Sequence, residues 1–143
     1  MSNAPWRLGA VDLAARIARR EITCRQATAS VLERIAQHNG RINAIVDLMA
    51  ADALAVADQA DRRQDRGDPI GPLHGVPITI KVNVDTAGRA NTDGVVACRD
   101  DIAQTDSPLV ASLRDAGAVI VGRTNTPAFI LRWFTDNDLL GRT

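Results

Sequence analysis

Two short apolar runs with a helix-like segment between them constrain the fold of this chain most strongly. Residues 78–84 are rich in β-branched side chains, and residues 118–121 form a second run typical of a buried strand. Between them, Ser107 and Pro108 suit the start of a helix and Gly117 suits its end. A helix between two strands predicts a βαβ unit, and hence an α/β fold with a parallel sheet covered by helices.

The residues before this unit have the spacing of helices. Apolar positions recur at helical intervals over residues 11–20 and again over residues 23–37. Thr23 is placed to cap the second of these helices, and the Asn39-Gly40 pair is placed to end it. The two segments together predict a helical hairpin.

A change of composition near residue 66 predicts an internal boundary. Residues 42–48 form a short strand-like run, residues 50–66 read as an alanine-rich helix, and a charged, solvated turn follows. We therefore divide the chain into an N-terminal helical arm, residues 1–66, and the start of an α/β core, residues 67–143. We expect these to form one incomplete domain overall.

The overall composition excludes several classes of function. Lysine plus arginine and aspartate plus glutamate number 17 each, so a net charge of zero draws the chain to neither nucleic acid nor an acidic membrane. Aromatic residues make up only 3% of the chain, too few to stack single-stranded bases. No run approaches the roughly 18 apolar residues of a membrane span, and the N-terminus lacks an apolar signal segment. We expect a cytoplasmic protein with no nucleic-acid or membrane partner.

The spacing of cysteine and histidine argues against a metal centre. Cys24 and Cys98 have no CxxC neighbour, and only His38 and His74 accompany them. The chain also lacks a glycine motif of the kind that cradles phosphate. We therefore expect two free thiols, no metal and no cofactor.

Lys81 is the strongest candidate for a catalytic residue. It ends the apolar run of residues 76–80, which places its amine at the edge of the predicted core. An amine in such a place gives up its proton more readily than one in water, and a neutral lysine can act as a general base. Taken alone, Lys81 is better explained as a lysine that extends from a strand end to water.

The residues around Lys81 resemble a known family. Residues 71–85, GPLHGVPITIKVNVD, resemble the segment that precedes and contains the catalytic lysine of amidase-signature enzymes. Residues 106–127, DSPLVASLRDAGAVIVGRTNTP, are similar to the family's next helix, strand and turn, and residues 42–46 resemble part of its opening arm. The resemblance covers nearly the whole chain. It implies the first βαβ elements of a mixed sheet covered by helices, and hydrolysis of a carboxamide C–N bond.

The resemblance also implies a mechanism that this chain cannot complete alone. In the family a lysine, a serine in a cis peptide and a nucleophilic serine form a triad, and only Lys81 carries over. Residues 133–137 resemble the lead-in to the Gly-Ser segment that holds both serines, and we expect that segment to be missing. The serines present sit near the terminus, in helices or at their caps: Ser2, Ser30, Ser107 and Ser112. We therefore expect a truncated, inactive chain whose mechanism needs no cofactor.

Two positions depart from the family pattern. Val82 follows the lysine where the family commonly has an aspartate, and residues 91–94, NTDG, replace a more usual Thr/Ser-rich turn. Either these changes alter the mouth of the substrate site, or they record relaxed constraint on a gene fragment.

Other polar residues near these motifs have structural interpretations. His74 between Leu and Gly is expected to be a turn residue with a hydrogen-bonded ring rather than a catalytic base. Asn83 and Asp85 alternate with Lys81 along the predicted strand, so they either hydrogen-bond near its amine or solvate the strand end. Asn125 is expected to cap the following turn rather than contact substrate.

The C-terminal aromatic residues indicate how the chain could associate with a partner. Trp133 and Phe134 most simply belong to core packing, and the alternative is that a truncated chain leaves them exposed. A sheet cut from a larger one also leaves an open edge and apolar faces. We therefore expect a homodimer, aggregation, or pairing with a complementing chain that supplies the rest of an amidase. The alternative functions are a non-catalytic interaction module and a truncated chain with no function of its own. In the complete enzyme the partner is a small-molecule amide, and its identity stays open.

Overall fold

The computed structural model describes residues 4–143 and has the predicted α/β architecture. The described chain contains four α-helices and three strands, in the order α1 (Ala10–Ala18), α2 (Cys24–Ile42), β1 (Ile45–Leu48), α3 (Ala50–Asp65), β2 (Pro77–Lys81), α4 (Pro108–Asp115) and β3 (Val119–Thr124). Short 3-10 turns lie at Pro5–Arg7, Val96–Cys98 and Ala128–Ile130. None of the described helices is both long and apolar enough to cross a membrane.

The predicted βαβ unit is present. β2 and β3 pair in parallel with α4 as the crossover, and β1 pairs antiparallel with the other side of β3. β3 is therefore the central strand, and its residues from Val119 to Arg123 are all buried. This position explains why the sequence of β3 is nearly continuous in apolar residues rather than alternating.

Helices cover both faces of this sheet. On one face, α1, α2 and α3 pack against Val119 and Val121 of β3, with Leu13, Ile17, Cys24, Ala27, Ala53, Ala57, Ala60 and Val76 in the same buried cluster. On the other face, Val110 of α4 packs with Met49, Ile80 and Ile120. Alternate residues of β3 thus serve two cores, as the pleat of a strand requires.

The start of α2 is fixed by two sets of hydrogen bonds. Thr23 caps α2 as the sequence predicts, and Gln26 completes a reciprocal capping box with it. The Asp61 carboxylate of α3 adds two more contacts, because it accepts from the backbone N–H of Cys24 at 2.7 Å and of Arg25 at 3.1 Å. An anion at a helix N-terminus is stabilising, so this contact also holds α3 against α2.

The predicted end of α2 at Asn39-Gly40 is wrong, and so is the start of β1 at residue 42. The helix continues to Ile42 and ends where Asn43 adopts a left-handed φ of 52°. The Asn39 side chain explains the extension, since its amide accepts from the Ile45 N–H and donates to the Ile45 carbonyl, both at 2.8 Å. Asn39 therefore binds the first residue of β1 instead of ending the helix.

Of the two alternatives for Trp133 and Phe134, core packing is wrong and exposure is confirmed. Both side chains are exposed, as are Phe129, Ile130 and Leu131. The backbone turns outward here, with positive φ at Phe129 and Ile130. Polar contacts of the residues that follow hold the C-terminal segment in place. The apolar character of its side chains therefore does not predict whether they are buried.

The turn before β2 depends on close approach of backbone to α2. Gly75 has a φ of 73°, and a Cβ built on it would lie 2.2 Å from the Cys24 sulfur. Both the conformation and the space therefore require glycine at this position. Its N–H donates to the Gly117 carbonyl at 2.9 Å, which joins the turn to the start of β3.

Replacing Gly75→Ala should lower the free energy of unfolding by about 2–4 kcal/mol, because the new methyl group overpacks against Cys24 in a left-handed conformation. Gly40→Ala is the matched control, since Gly40 lies in α2 with nothing near its missing Cβ. That change should raise stability by about 0.5–1 kcal/mol. Urea titrations of the two variants measure both values, and equal effects would contradict this account of the turn.

Candidate active site

Lys81 lies where the two parallel strands end. It is the last residue of β2, and its Cα pairs with Thr124, the last residue of β3. The next residue continues this contact, because the Val82 N–H donates to the Thr124 carbonyl at 2.9 Å. The carboxyl ends of parallel strands are where open α/β sheets commonly bind ligands. Lys81 therefore occupies a favourable place for a functional side chain.

The surroundings of Lys81 are apolar on both sides along the chain. Ile80 and Val82 are buried, whereas Lys81 itself is half-buried. Its ammonium group makes no hydrogen bond or ion pair within residues 4–143, and it is the only lysine in the sequence. Lys81 is thus held at the edge of the core without a counter-charge from the described residues.

The expected alternation of Lys81 with Asn83 and Asp85 is wrong. β2 ends at Lys81, and a turn follows in which the Val84 N–H donates to the Lys81 carbonyl at 3.0 Å. Asp85 organises the loop instead, because its carboxylate accepts from the Asn91 side chain at 2.6 Å. The Asn83 side-chain oxygen is buried and has no hydrogen-bond partner among the described residues.

A buried arginine lies beside this turn. Arg123 of β3 is only 2% exposed, and its guanidinium donates to the Val82 carbonyl at 2.7 Å. The Asp47 carboxylate of β1 lies 3.5 Å from the same guanidinium. Burial lowers the pKa of Arg123, and Asp47 acts in the opposite direction by favouring the charged form. The residue after Lys81 is therefore anchored to a buried cation.

The charge network extends from Arg123 into the loop after β2. Asp47 also accepts from Arg89 at 3.1 Å, and Arg89 reaches Asp52 of α3 at 2.8 Å. Sequence reasoning missed this network. The sequence did contain a signal for it, because each of two strand-like runs includes one charged residue. These are Asp47 in IVDL and Arg123 in VIVGRT. A charged side chain in the interior of a sheet needs a partner of opposite charge.

Asn125 has the structural role expected for it. Its side chain accepts from the Thr126 N–H at 2.9 Å and donates to the Gly141 carbonyl at 3.0 Å. Asn137 donates to the Asn125 side chain at 2.9 Å and to the Thr126 carbonyl at 2.8 Å. These amide contacts bind the C-terminal segment to the end of β3, so Asn125 serves folding at this edge.

A cleft of about 470 Å³ opens beside these turns. Its walls include Gly94, Val96, Phe129, Arg132 and Asn137. Gly94 packs against the backbone at Thr126, where an added Cβ would come within 2.9 Å of the carbonyl oxygen. The loop that contains residues 91–94 therefore borders the end of β3.

The described serines have structural contacts. Ser107 caps α4 by accepting from the Val110 N–H at 3.3 Å, and Ser112 lies within the same helix. Ser30 lies in α2 and accepts from the Trp6 N–H at 3.4 Å. Ser2 lies outside the described residues. The helix and cap positions expected for Ser30, Ser107 and Ser112 agree with the structure.

His74 occupies the predicted turn, but its ring is not fully hydrogen-bonded. The side chain is buried, and Nε2 has no partner among the described residues. Burial lowers the pKa of His74, and the nearby backbone of Ala60 opposes that shift. His74 precedes β2 whereas Lys81 ends it, so the two lie at opposite edges of the sheet.

The cysteines are both free thiols, as expected. Burial raises the pKa of the Cys24 thiol to about 12, and the nearby Asp61 carboxylate adds to this effect. Within residues 4–143, no group of three or more His, Cys, Asp and Glu side chains is arranged to hold a metal ion.

Comparison with known proteins agrees with this geometry. The amidase family model matches residues 26–143. Indoleacetamide hydrolase of Bradyrhizobium diazoefficiens is 46% identical over 138 residues, which cover 96% of this chain and 26% of that protein. One subunit of the glutamyl-tRNA(Gln) amidotransferase of Acidothermus cellulolyticus is 37% identical over 134 residues, covering 94% of this chain and 26% of that polypeptide.

A solved structure extends the comparison to the fold. The crystal structure of a bacterial aryl acylamidase of the amidase signature family superposes with a TM-score of 0.87 at 27% identity, over 94% of this chain and 28% of that one. The fold is thus that of the amidase signature enzymes. The chain belongs to the amidase signature family, as the resemblance of residues 71–85 and 106–127 predicts. It spans about a quarter of the length of these relatives.

The stability of the fold should decrease as the pH falls from about 7.5 to about 5. The pKa of His74 is lower in the folded chain than in the unfolded chain, where it is about 6.5. As the pH falls, the unfolded chain therefore takes up a proton more readily than the folded chain, and this favours unfolding. Urea midpoints across this range should fall less steeply for His74→Gln than for the natural chain. His38→Gln, on α2, is the matched control and should keep the natural slope. An unchanged slope in His74→Gln would show that His74 is not the group responsible.

The two cysteines should react at very different rates with a thiol reagent such as dithionitrobenzoate. Cys98 is half-buried, whereas Cys24 is fully buried with a raised pKa, so the native chain should release about one equivalent of chromophore. Denaturant should expose the second equivalent, and native Cys98→Ser should release none. Rapid reaction of two thiols in the native chain would contradict the burial of Cys24.

Proposed function

We propose that this chain supplies the proton-accepting lysine of an amidase that cleaves carboxamide C–N bonds. The observation that carries the proposal is the position of Lys81 at the carboxyl edge of the parallel strands, without an ion pair in residues 4–143. Buried Ile80 and Val82 flank this lysine, and no described carboxylate occupies its amine. Membership of the amidase signature family supports the choice of reaction.

In this proposal Lys81 activates a serine nucleophile. Its neutral amine takes a proton through a bridging serine as the nucleophilic oxygen attacks the amide carbonyl. A C–O bond forms, the C–N bond breaks, and the proton passes to the leaving amine. Water then cleaves the acyl-enzyme ester to the carboxylate, and Lys81 again receives and returns the proton. Backbone N–H groups would stabilise the oxyanion.

We infer that both serines of this triad lie outside the 143 residues. Ser107 caps α4, Ser112 lies within that helix and Ser30 accepts a backbone hydrogen bond, so these serines have structural positions, and the family resemblance puts the two catalytic serines in a later Gly-Ser segment. The relatives are about four times as long as the stretch they share with this chain. On this proposal the chain is inactive by itself and contributes Lys81 to a larger assembly.

The buried charge network would position Lys81 rather than react. Arg123 holds the carbonyl of Val82, the residue that follows the lysine, and Asp47 neutralises that arginine. This hydrogen bond therefore restrains the backbone of the turn that follows β2. A restrained backbone fixes the base within reach of its proton donor, as catalysis requires.

The second candidate function is a non-catalytic subunit that pairs with another polypeptide. The exposed C-terminal residues favour it, because Leu131 and Trp133 are 79% and 105% exposed, and Phe134 is also exposed. The name of one relative describes an amidotransferase subunit, which is consistent with assembly from several chains. The two free thiols support a reducing, cytoplasmic location for either function.

Transplanting the chain into a relative tests the role of Lys81. The chain replaces the matching quarter of the Bradyrhizobium indoleacetamide hydrolase, and hydrolysis of indoleacetamide is measured. With the natural sequence the hybrid should turn over substrate. Lys81→Met should lower kcat by about 10²–10⁴-fold, the usual contribution of general acid–base catalysis.

Arg41→Met is the matched control, since it removes an exposed cation from α2 without touching the strand edge. Its kcat should equal that of the natural hybrid. Equal activity of the Lys81→Met and natural hybrids would reject Lys81 as the base. Loss of activity in both variants would assign the effect to the fold rather than to the lysine.

A further inference from the structure

The cleft of about 470 Å³ lies outside the carboxyl ends of the two parallel strands. One wall comes from the loop after β2, through Val95, Val96 and Ala97, and the other comes from the segment after β3, through Ala128 and Phe129. In open α/β sheets, ligands bind in a crevice outside the carboxyl ends of the strands. The volume also lies within the range of about 300–1,000 Å³ that is usual for small-molecule sites. The cleft is therefore suited to a small ligand.

The cleft lies close to the strand end that carries Lys81. The Cα of Lys81 pairs with that of Thr124, and Thr126 follows two residues later, at most about 7 Å from Thr124 along the chain. Gly94 borders the cleft, and a Cβ added to it would lie 2.9 Å from the Thr126 carbonyl oxygen. The cleft and the lysine are therefore within reach of one small molecule.

Phe129 combines an exposed aromatic ring with a backbone that is held in place. Its side chain is 56% exposed, whereas its N–H donates to the Asp93 carbonyl at 2.9 Å. Phe129 and Ile130 have φ values of 51° and 62°, a left-handed conformation that bulky residues rarely adopt. Conformations of this kind are concentrated at functional sites. The fold thus keeps an aromatic ring outside the core and beside the cleft.

The polar groups of the cleft do not favour an anionic ligand. The Asn137 side chain is engaged in hydrogen bonds to the end of β3 and within the C-terminal segment. The other polar side chains are exposed, and with Arg132 against Asp136 and Asp138 they carry one positive and two negative charges. An anionic group would therefore be repelled, and the apolar walls supply the contact surface.

We propose that this cleft holds the aromatic substituent of a neutral aryl carboxamide and that Phe129 selects for it. This inference rests on the proposed function of Lys81. Aromatic rings pair in offset-stacked or edge-to-face arrangements, and this attraction adds to the apolar burial that an aliphatic group also gains. Phe129 is thus a specificity-determining residue, whereas Lys81 carries the chemistry.

Kinetics of the hybrid with the Bradyrhizobium indoleacetamide hydrolase measure this selectivity. The readout is the ratio of kcat/KM for phenylacetamide to kcat/KM for acetamide, which has no ring. Phe129→Ala should lower this ratio by about tenfold, mainly through a higher KM for phenylacetamide, because the contact between the rings is lost. Phe129→Tyr should retain the natural ratio, since it keeps an aromatic ring.

Phe134→Ala is the matched control. Phe134 is the only other phenylalanine in the sequence and is 57% exposed, but it does not line the cleft. Its hybrid should keep the natural ratio. An equal fall of the ratio in the two alanine variants, or no fall in Phe129→Ala, would overturn the role of Phe129. A higher kcat/KM for 4-carboxyphenylacetamide than for phenylacetamide would overturn the preference for a neutral ring.

Binding of phenylacetamide to the 143-residue chain tests the cleft without turnover. The NMR signals of residues 94–97 and 128–132 should shift in a saturable way, and Phe129→Ala should weaken this binding by about tenfold whereas Phe134→Ala should not. The absence of saturable shifts at these residues would overturn the inference even if the hybrid is inactive.

The two measurements also separate this inference from the proposed function. Saturable binding in the cleft, together with turnover by the hybrid that does not depend on Lys81, would reject the proposed function and leave the cleft assigned. Turnover that depends on Lys81, with an unchanged ratio in Phe129→Ala, would reject the cleft and leave the proposed function.

Discussion

The parallel pairing of β2 with β3 is the constraint on which the rest of the structure depends. Because the strands run in the same direction, Lys81 and Thr124 end at one edge, while His74 and Gly117 meet at the other. The connection between parallel strands has to cross the sheet, and α4 makes that crossing with its cap at Ser107. One pairing thus separates the end of the sheet that holds Lys81 from the end that holds His74.

The pairing also brings a charge into the sheet interior. A buried cation without a counter-charge destabilises a protein by about 3–5 kcal/mol, so Arg123 requires the carboxylate of Asp47. Asp47 lies on β1, within the N-terminal part of the chain, and it also binds Arg89 of the loop after β2. The helices at the start of the chain are therefore joined to the lysine-bearing strand by charge as well as by apolar packing.

Local signals in the sequence predicted those elements that local contacts determine. Ser107-Pro108 and Gly117 delimit α4, and Thr23 with Gln26 starts α2, since capping involves residues only three or four positions apart. The family resemblance followed from the motifs of residues 71–85 and 106–127, whereas the predicted strand ran past Lys81, the residue at which β2 ends. The boundary between arm and core near residue 66, and the catalytic role of Lys81, stay predictions.

Errors arose where contacts beyond a single helical turn decide the conformation. The Asn39-Gly40 pair has the local signature of a helix stop, but the Asn39 side chain binds Ile45 and the helix continues. The size of Trp133 favours the core, whereas the amide contacts of Asn137 with Asn125 fix that segment. Arg123 was missed because its partners lie on other parts of the sheet.

The most direct test of the central claim is hydrolysis of a panel of simple amides by the purified 143-residue chain, beside its Lys81→Ala variant. The claim is that these residues place the lysine but do not supply the nucleophile, and it predicts no turnover by either protein. Turnover by the natural chain that is abolished in Lys81→Ala would contradict it, because a nucleophile within the 143 residues would then complete the site.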